Sequence, residues 1–151
     1  MNVMWYVGKF DEATWHVFTL LGLTPSFLRE QHRGMAAVHQ EITYKRELRA
    51  GDVLTIYSRV LEVREKVIRF YHEMHNEETG EVAATTVLTA VHIDAQIRKS
   101  CPFPPTVIER AQKMIDAGSD MLPRSKDRGF SVQRRSSCSR SLTGLPGPEN
   151  I

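Results

Sequence analysis

The sequence of 151 residues contains only two cysteines, Cys101 and Cys138, so we do not expect a fold held together by disulfides. No apolar run approaches the roughly 20 residues that a helix needs to cross a membrane. The start of the chain lacks the basic segment and short apolar segment of a secretion signal. His and Cys residues never occur at the spacing of a metal site. We therefore expect a cytoplasmic protein with no metal site and no membrane partner.

Most of the chain also lacks an excess of positive or negative charge, although the net charge of the whole sequence is +2. Of the 20 Lys and Arg and the 18 Asp and Glu, six and three lie in residues 118–151, which leaves 14 and 15 in residues 1–117. A nearly neutral segment has no basic face for nucleic acid, and we expect no such partner. Residues 118–151 are rich in Ser, Arg, Gly and Pro. This composition predicts a domain at 1–117 and a disordered or loosely attached tail at 118–151.

The first clear pattern covers residues 1–21 and is typical of a helix. Apolar side chains recur there every three or four positions, as in a helix with one buried stripe, at Val3, Val7, Phe10, Val17 and Leu21. Apolar residues on its other sides predict that the helix is wrapped and not laid on a surface. Gly22 and Pro25 predict its end.

Four segments with strand patterns follow, at residues 35–47, 53–64, 67–76 and 81–94, and an amphipathic helix is predicted at 106–117. Alternation along the strands predicts which side chains share a face. Ala36, Val38, Ile42 and Tyr44 should share one face of the first strand, and Ile68, Phe70, His72 and Met74 one face of the third. In the second strand both faces are partly apolar, with Leu54, Ile56 and Val60 on one and Val53, Tyr57, Leu61 and Val63 on the other. One long helix followed by successive strands predicts an α+β fold, in which an antiparallel sheet curls around the helix.

Several short motifs occur in an informative order. Met1-Asn2-Val3 is followed by Tyr6, Phe10 and Ala13, and later come Ile42-x-Tyr44, Gly51-Asp52, residues 76–81 and Arg98-Lys99-x-x-Pro102. In this order and spacing, roughly residues 1–117 resemble the hotdog-fold acyl-CoA thioesterases of the 4-hydroxybenzoyl-CoA thioesterase type. The resemblance implies a hotdog fold, an acyl-CoA substrate, no cofactor, and assembly into a homodimer or homotetramer. The second apolar face of the strands is consistent with burial between subunits.

The resemblance also implies a mechanism. Family members carry Asp-x-x-Gly-His directly before the motif matched by Met1-Asn2-Val3, and that Asp attacks the thioester or activates water while a backbone N–H at the helix start polarises the carbonyl. Val3 would supply this N–H or lie next to it, with Asn2 beside it. Either the given start is internal to a longer gene product, or the chain is truncated. The chain as given is expected to have little thioesterase activity.

Each candidate site residue also has a structural interpretation. Asn2 could orient substrate or cap the helix, and the Tyr6 hydroxyl could reach the acyl group or simply pack against the sheet. Arg98 and Lys99 could bind the phosphates of coenzyme A or be solvated. The His residues of the strands have no nearby Ser or Cys in the sequence, and Cys101 has no evident base beside it.

Two further functions stay open at this point. A hotdog module could bind acyl-CoA or acyl carrier protein without catalysis, and such a module would not need the catalytic carboxylate. A hotdog dehydratase would need a His and an acid as a pair, and no such motif is visible in the sequence.

Overall fold

The computed structural model describes residues 2–117 and 122–123. The elements in chain order are α1 (Val3–Leu21), α2 (Pro25–Glu30), β1 (Arg33–Tyr44), β2 (Leu54–Val63), β3 (Val67–Asn76), β4 (Val82–Asp94), β5 (Lys99–Ser100), α3 (Pro105–Asp116) and β6 (Leu122–Pro123). The strands form one antiparallel sheet in the order β1-β4-β3-β2-β6, with β5 paired to β4. Within the described residues β1 therefore forms one edge of the sheet, and β2 is covered at the other edge only by the two-residue β6.

The helix α1 packs along one face of the sheet through two clusters of buried side chains. Its first half contacts the end of the sheet where β3 finishes and β4 starts, through Tyr6, Phe10 and Ala13 with Leu48, Ile56, Met74, Ala83 and Ala84. Its second half and α3 contact the opposite end, through Val17, Phe18 and Leu21 with Val60, Ile68, Phe70, Leu88, Ala90, Phe103, Val107 and Ala111. The predicted inner face of β3 is confirmed, because Ile68, Phe70, His72 and Met74 are all fully buried.

The predicted buried stripe of α1 is wrong at two of its positions. Val3 and Val7 are 56% and 37% exposed, although Tyr6 in the same turns is buried. Trp15 is also partly exposed. The predicted end at Gly22 is confirmed: its φ of 92° is left-handed, and a Cβ there would lie 2.6 Å from Nη1 of Arg110.

Two β-bulges change the predicted faces. The register between β1 and β4 shifts at Val38, so Ala36 pairs with Val91 on the outer face while Ile42 pairs with Thr86 on the inner face. A second shift at Leu61 of β2 turns Val63 inward, where it packs against the buried cluster and not beside Tyr57. A single extra residue reverses every later side chain of a strand, and strict alternation in the sequence cannot show this.

The predicted tail lies almost entirely outside the described residues. The exception is β6, which pairs with Tyr57 and Ser58 of β2. In the described part of the chain, no helix is both long and apolar enough to span a bilayer. No group of three or more His, Cys, Asp or Glu residues in that part is arranged to hold a metal ion.

His72 lies fully buried between α1 and the sheet and is held by two hydroxyl groups. Thr14 donates its only hydroxyl hydrogen to the carbonyl of Phe10 at 2.9 Å, so its Oγ1 accepts from Nε2 of His72 at 3.0 Å. The bare Nδ1 therefore accepts from the Ser58 hydroxyl at 2.7 Å. Burial lowers the pKa of His72 from 6.5 to about 4.

This burial predicts acid sensitivity. Because the imidazole protonates more readily in the unfolded chain, its contribution to stability is complete above pH 6.5 and is lost as the pH falls toward 4, by about 3 kcal/mol. We expect the free energy of unfolding, measured with urea from pH 7.5 to 4, to fall more steeply for the wild type than for His72→Gln. The exposed control His39→Gln should keep the wild-type slope. Equal slopes for wild type and His72→Gln would contradict the assignment.

Candidate functional site

The first turn of α1 presents a free backbone amide. The side-chain oxygen of Asn2 accepts a hydrogen bond from the Met4 amide at 3.3 Å. The backbone carbonyl of Asn2 accepts one from the Trp5 amide at 3.0 Å. Among the described residues nothing accepts from the Val3 amide, and the first turn contains no acidic residue. The amides and the dipole at a helix start favour negative charge, so this is a suitable place for a developing oxyanion.

In the structure Asn2 caps the start of α1, as its structural interpretation predicted. Tyr6 is also held by the protein itself. Its hydroxyl donates to the carbonyl of Arg46 at 3.1 Å and accepts from the amide of Leu48 at 3.1 Å, which ties the β1–β2 loop to the helix. Its ring packs edge-on against Tyr44 with the centroids 5.2 Å apart. The role predicted for Tyr6 in binding substrate stays a prediction. In this structure its hydroxyl hydrogen is donated to the carbonyl of Arg46.

Arg98 lies exposed in the turn that joins β4 to β5, and Lys99, also exposed, is the first residue of β5. Arg98 has a left-handed φ of 55°, and its amide donates to the carbonyl of Asp94 at 2.8 Å. The amides of Ile97 and Gln96 lower the pKa of Asp94, whose carboxylate also forms an ion pair with Arg33. The turn is thus built on Asp94, and neither Arg98 nor Lys99 forms an ion pair with a described residue, so both cations are available to an anion.

The two predicted halves of the site lie at opposite ends of the sheet. Ala84, near the start of β4, belongs to the cluster around Tyr6 at the first half of α1. Asp94, at the end of β4, holds the turn with Arg98. Ten residues of extended strand separate them, which is about 34 Å. Within one chain the structure therefore does not bring Arg98 and Lys99 to the start of α1.

An open groove of about 480 Å³ lies at the end of the sheet that carries Arg98. It is formed by α1, α2 and the start of β1, and its lining includes Trp15, Leu28, Arg29, Arg33 and Met35. The groove combines an exposed indole, apolar side chains and guanidinium groups. This combination suits a ligand with a flat ring and a negative charge. The groove could not be predicted from the sequence, because its lining comes from three separate elements.

The structure contains a Ser–His pair that the sequence analysis missed, since Ser58 and His72 lie on neighbouring strands. The hydroxyl of Ser58 donates to the imidazole, as it would in a nucleophilic pair. However, the ring of His72 is stacked between Phe10 and Phe70, and its other nitrogen binds Thr14 and no carboxylate. Both residues are buried, so no substrate reaches them, and the pair belongs to the core.

Cys101 also has a histidine beside it, contrary to the sequence analysis. Nδ1 of His92 lies 3.4 Å from its Sγ, and the same nitrogen lies 3.2 and 3.0 Å from the carbonyls of Cys101 and Pro102. Carbonyls only accept, so Nδ1 carries the proton and cannot take one from the thiol. The ring stacks on Phe103 at 4.9 Å and fixes the exit from the sheet. This contact is structural and does not activate the cysteine.

Comparison with known proteins agrees with this architecture. The family model of the thioesterase-like superfamily matches residues 1–111. The chain belongs to the thioesterase-like superfamily. The predicted hotdog fold is confirmed, with the antiparallel sheet packed on the long helix, and so is the resemblance to hotdog thioesterases.

Solved structures share the fold at low identity. The Staphylococcus aureus protein SAV2348, solved in complex with CoA, has a TM-score of 0.75 at 19% identity and covers 81% of this chain and 77% of its own. A gentisyl-coenzyme A thioesterase has a TM-score of 0.65 at 25% identity, over 74% of this chain and 86% of its own. An L-carnitine dehydrogenase/betainyl-CoA thioesterase of Agrobacterium fabrum is 25% identical over 85% of this chain. This thioesterase-like chain spans only about a quarter (26%) of that relative's length.

The double hydrogen bond of Tyr6 generates a prediction. Tyr6→Phe removes two hydrogen bonds, one from the Leu48 amide and one to the Arg46 carbonyl, and should lower the free energy of unfolding by about 1–3 kcal/mol in urea titrations. Tyr44→Phe, on the exposed partner ring, should change it by less than about 0.5 kcal/mol. Unchanged stability in Tyr6→Phe together with weaker binding of an acyl-CoA would instead assign the hydroxyl to substrate.

Proposed function

We propose that this thioesterase-like protein hydrolyses the thioester of an acyl-CoA, with the start of α1 as the oxyanion site. The observation that carries the proposal is the Val3 amide, which has no acceptor among the described residues and lies at the positive end of a helix of 19 residues. In hydrolysis the oxygen of water bonds to the thioester carbon, and the carbonyl oxygen becomes negative. When the C=O bond forms again the C–S bond breaks, and the CoA sulfur leaves with the proton that water gave up. A fixed N–H aimed at that oxygen stabilises the charge as it develops. Water is the only co-reactant, and no redox cofactor is required.

A second candidate function is binding of acyl-CoA without hydrolysis. It is favoured by the lack of any acidic residue in the described first turn of α1, since attack on the thioester needs a carboxylate or another base near the bound carbonyl. The two functions differ in one observable, which is the release of free CoA thiol after binding.

The proposed active form is a homodimer joined through β1. This edge strand is exposed over its second half, with Val38 at the bulge 60% exposed, and its backbone groups on that side have no partner among the described residues. Two β1 strands paired antiparallel would place Arg33 of one subunit opposite the Tyr44 region of the other. The groove and the turn with Arg98 would then lie beside the partner's α1 start, which resolves the separation of about 34 Å within one chain. Pairs of such dimers would give the homotetramer.

The oxyanion role predicts the effect of removing one N–H. Asn2 has φ −68° and ψ 147°, which is compatible with a following proline, and proline fits the first position of a helix. We expect Val3→Pro to lower kcat for acyl-CoA hydrolysis about 100-fold, measured as released thiol, with the unfolding free energy nearly unchanged. Val3→Ala keeps the N–H and should keep kcat. Betainyl-CoA and gentisyl-CoA, named for the relatives, are suitable first substrates.

Equal rates for Val3→Pro and Val3→Ala would contradict the oxyanion role. Binding of these thioesters by the wild-type chain without any release of thiol would reject hydrolysis and support the second candidate function.

The shared site predicts that two defective subunits complement each other. The double variant Arg98→Ala/Lys99→Ala should raise KM for an acyl-CoA about tenfold or more but leave KM for the matching acyl-pantetheine, which lacks the nucleotide phosphates, unchanged. Lys113→Ala, on the exposed side of α3, is the matched control. Mixed dimers of Val3→Pro and the double variant should regain activity, because one of their two sites has both intact halves. Failure of mixed dimers to regain activity would contradict a site shared between two subunits.

A further inference from the structure

The groove between α1, α2 and the start of β1 has an apolar floor that belongs to the core. Leu28 of α2 is buried in the cluster at the second half of α1, and Met35 of β1 packs against the same cluster. Closely packed core side chains keep their positions, so the floor is formed before any ligand arrives. The volume of about 480 Å³ is within the range of roughly 300–1,000 Å³ that is typical of small-molecule sites.

Trp15 offers an aromatic surface to this groove. Its indole packs edge-on against the buried ring of Phe18, with the centroids 5.6 Å apart and the planes at 87°, and this contact sets the orientation of the indole. Trp15 is nevertheless 40% exposed, so much of the indole is left for a ligand. A second aromatic ring packs favourably on such a surface, either offset and parallel or edge to face.

The link from α2 to β1 enters the groove through a strained backbone. His32 has a left-handed φ of 52°, a conformation that residues other than glycine rarely adopt. Its carbonyl accepts from the Ala95 amide at 2.8 Å, which ties the link to the residue after β4, and both residues line the groove. Strained residues persist where the surrounding structure holds them, and they are frequent at binding sites.

Arg29 supplies a positive charge to the groove that no described residue neutralises. It is exposed in the last turn of α2 and forms no ion pair in the described part of the chain. The other arginine of the lining, Arg33, is paired with Asp94. Asp94 binds Arg33 through one oxygen and the Gln96 and Ile97 amides through the other, so both oxygens are engaged. None of the described residues that line the groove is acidic.

We propose that this groove binds a small aromatic acid, with the ring against the Trp15 indole and the carboxylate paired to the Arg29 guanidinium. A guanidinium can donate two parallel hydrogen bonds to one carboxylate, which gives the ligand a fixed orientation. One arginine without a partner matches the single charge of a monocarboxylate better than the several charges of a nucleotide. Leu28 and Met35 would cover the other side of the ring.

The site is built within a single chain and is separate from the proposed oxyanion site. Trp15 follows Val3 by twelve residues on α1, which is about 18 Å along the helix. Binding of the acid therefore requires neither a second copy nor thioester hydrolysis. The inference goes beyond the proposed function for this reason, and the two can fail separately.

Tryptophan fluorescence tests the proposal, because Trp5 and Trp15 are the two tryptophans of the sequence. In the full chain with Trp5→Phe, all tryptophan emission comes from Trp15. We expect benzoate to change this emission saturably. Benzamide keeps the ring without the charge and should bind at least about tenfold more weakly. Cyclohexanecarboxylate keeps the charge without the aromatic ring and should also bind more weakly than benzoate.

A variant at Arg29 tests the partner of the carboxylate in the same Trp5→Phe background. Arg29→Gln should raise the Kd for benzoate at least about tenfold and leave the Kd for benzamide unchanged, because only the charge is removed. Arg49→Gln, at an exposed arginine in the loop before β2, is the matched control and should bind benzoate as the background chain does.

Three results would overturn the proposal without any measurement of hydrolysis. Emission that does not respond to benzoate would show that the groove does not bind an aromatic acid. Equal Kd values for benzoate and benzamide in the background chain, or for benzoate in Arg29→Gln and Arg49→Gln, would show that Arg29 does not bind the carboxylate. Tighter binding of AMP than of benzoate would assign the groove to a nucleotide instead.

Discussion

The burial of one side of α1 against the sheet is the constraint on which the rest of the structure depends. Phe10, Val17 and Leu21 are almost completely buried, and the inner residues of β3 close over them. Because the opposite side of the helix is not covered by the described residues, Val3, Met4 and Trp5 of its first turn are exposed. The capped but otherwise free start of α1 is therefore a consequence of how the core is packed. The same packing directs the positive end of the helix dipole toward solvent, where a substrate can reach it.

An antiparallel sheet that covers a helix on one side leaves two other surfaces open. One is the edge formed by β1, and the other is the outer face of the sheet. Within one chain the length of the sheet separates the start of α1 from the turn that holds Arg98.

Two histidines show why proximity to a nucleophile is not sufficient for chemistry. His72 accepts from Ser58 and His92 lies beside Cys101, yet one pair is sealed in the core and the other histidine has its proton on the wrong nitrogen. Counting donors and acceptors separates these contacts from a catalytic pair. The polar groups between α1 and the sheet instead fix the helix in one register, because a shifted helix would leave the imidazole unpaired.

The sequence by itself determined the order of the elements, the ends of β3, the glycine that ends α1 and, through spaced motifs, the family. These depend on periodicity and on residues near one another in the chain. Only the tertiary structure decided the bulges at Val38 and Leu61, the partners of the Tyr6 hydroxyl at Arg46 and Leu48, and the groove that Trp15 and Arg29 both line. Those features depend on strand register and on contacts between distant residues, and a local pattern of apolar and polar residues specifies neither.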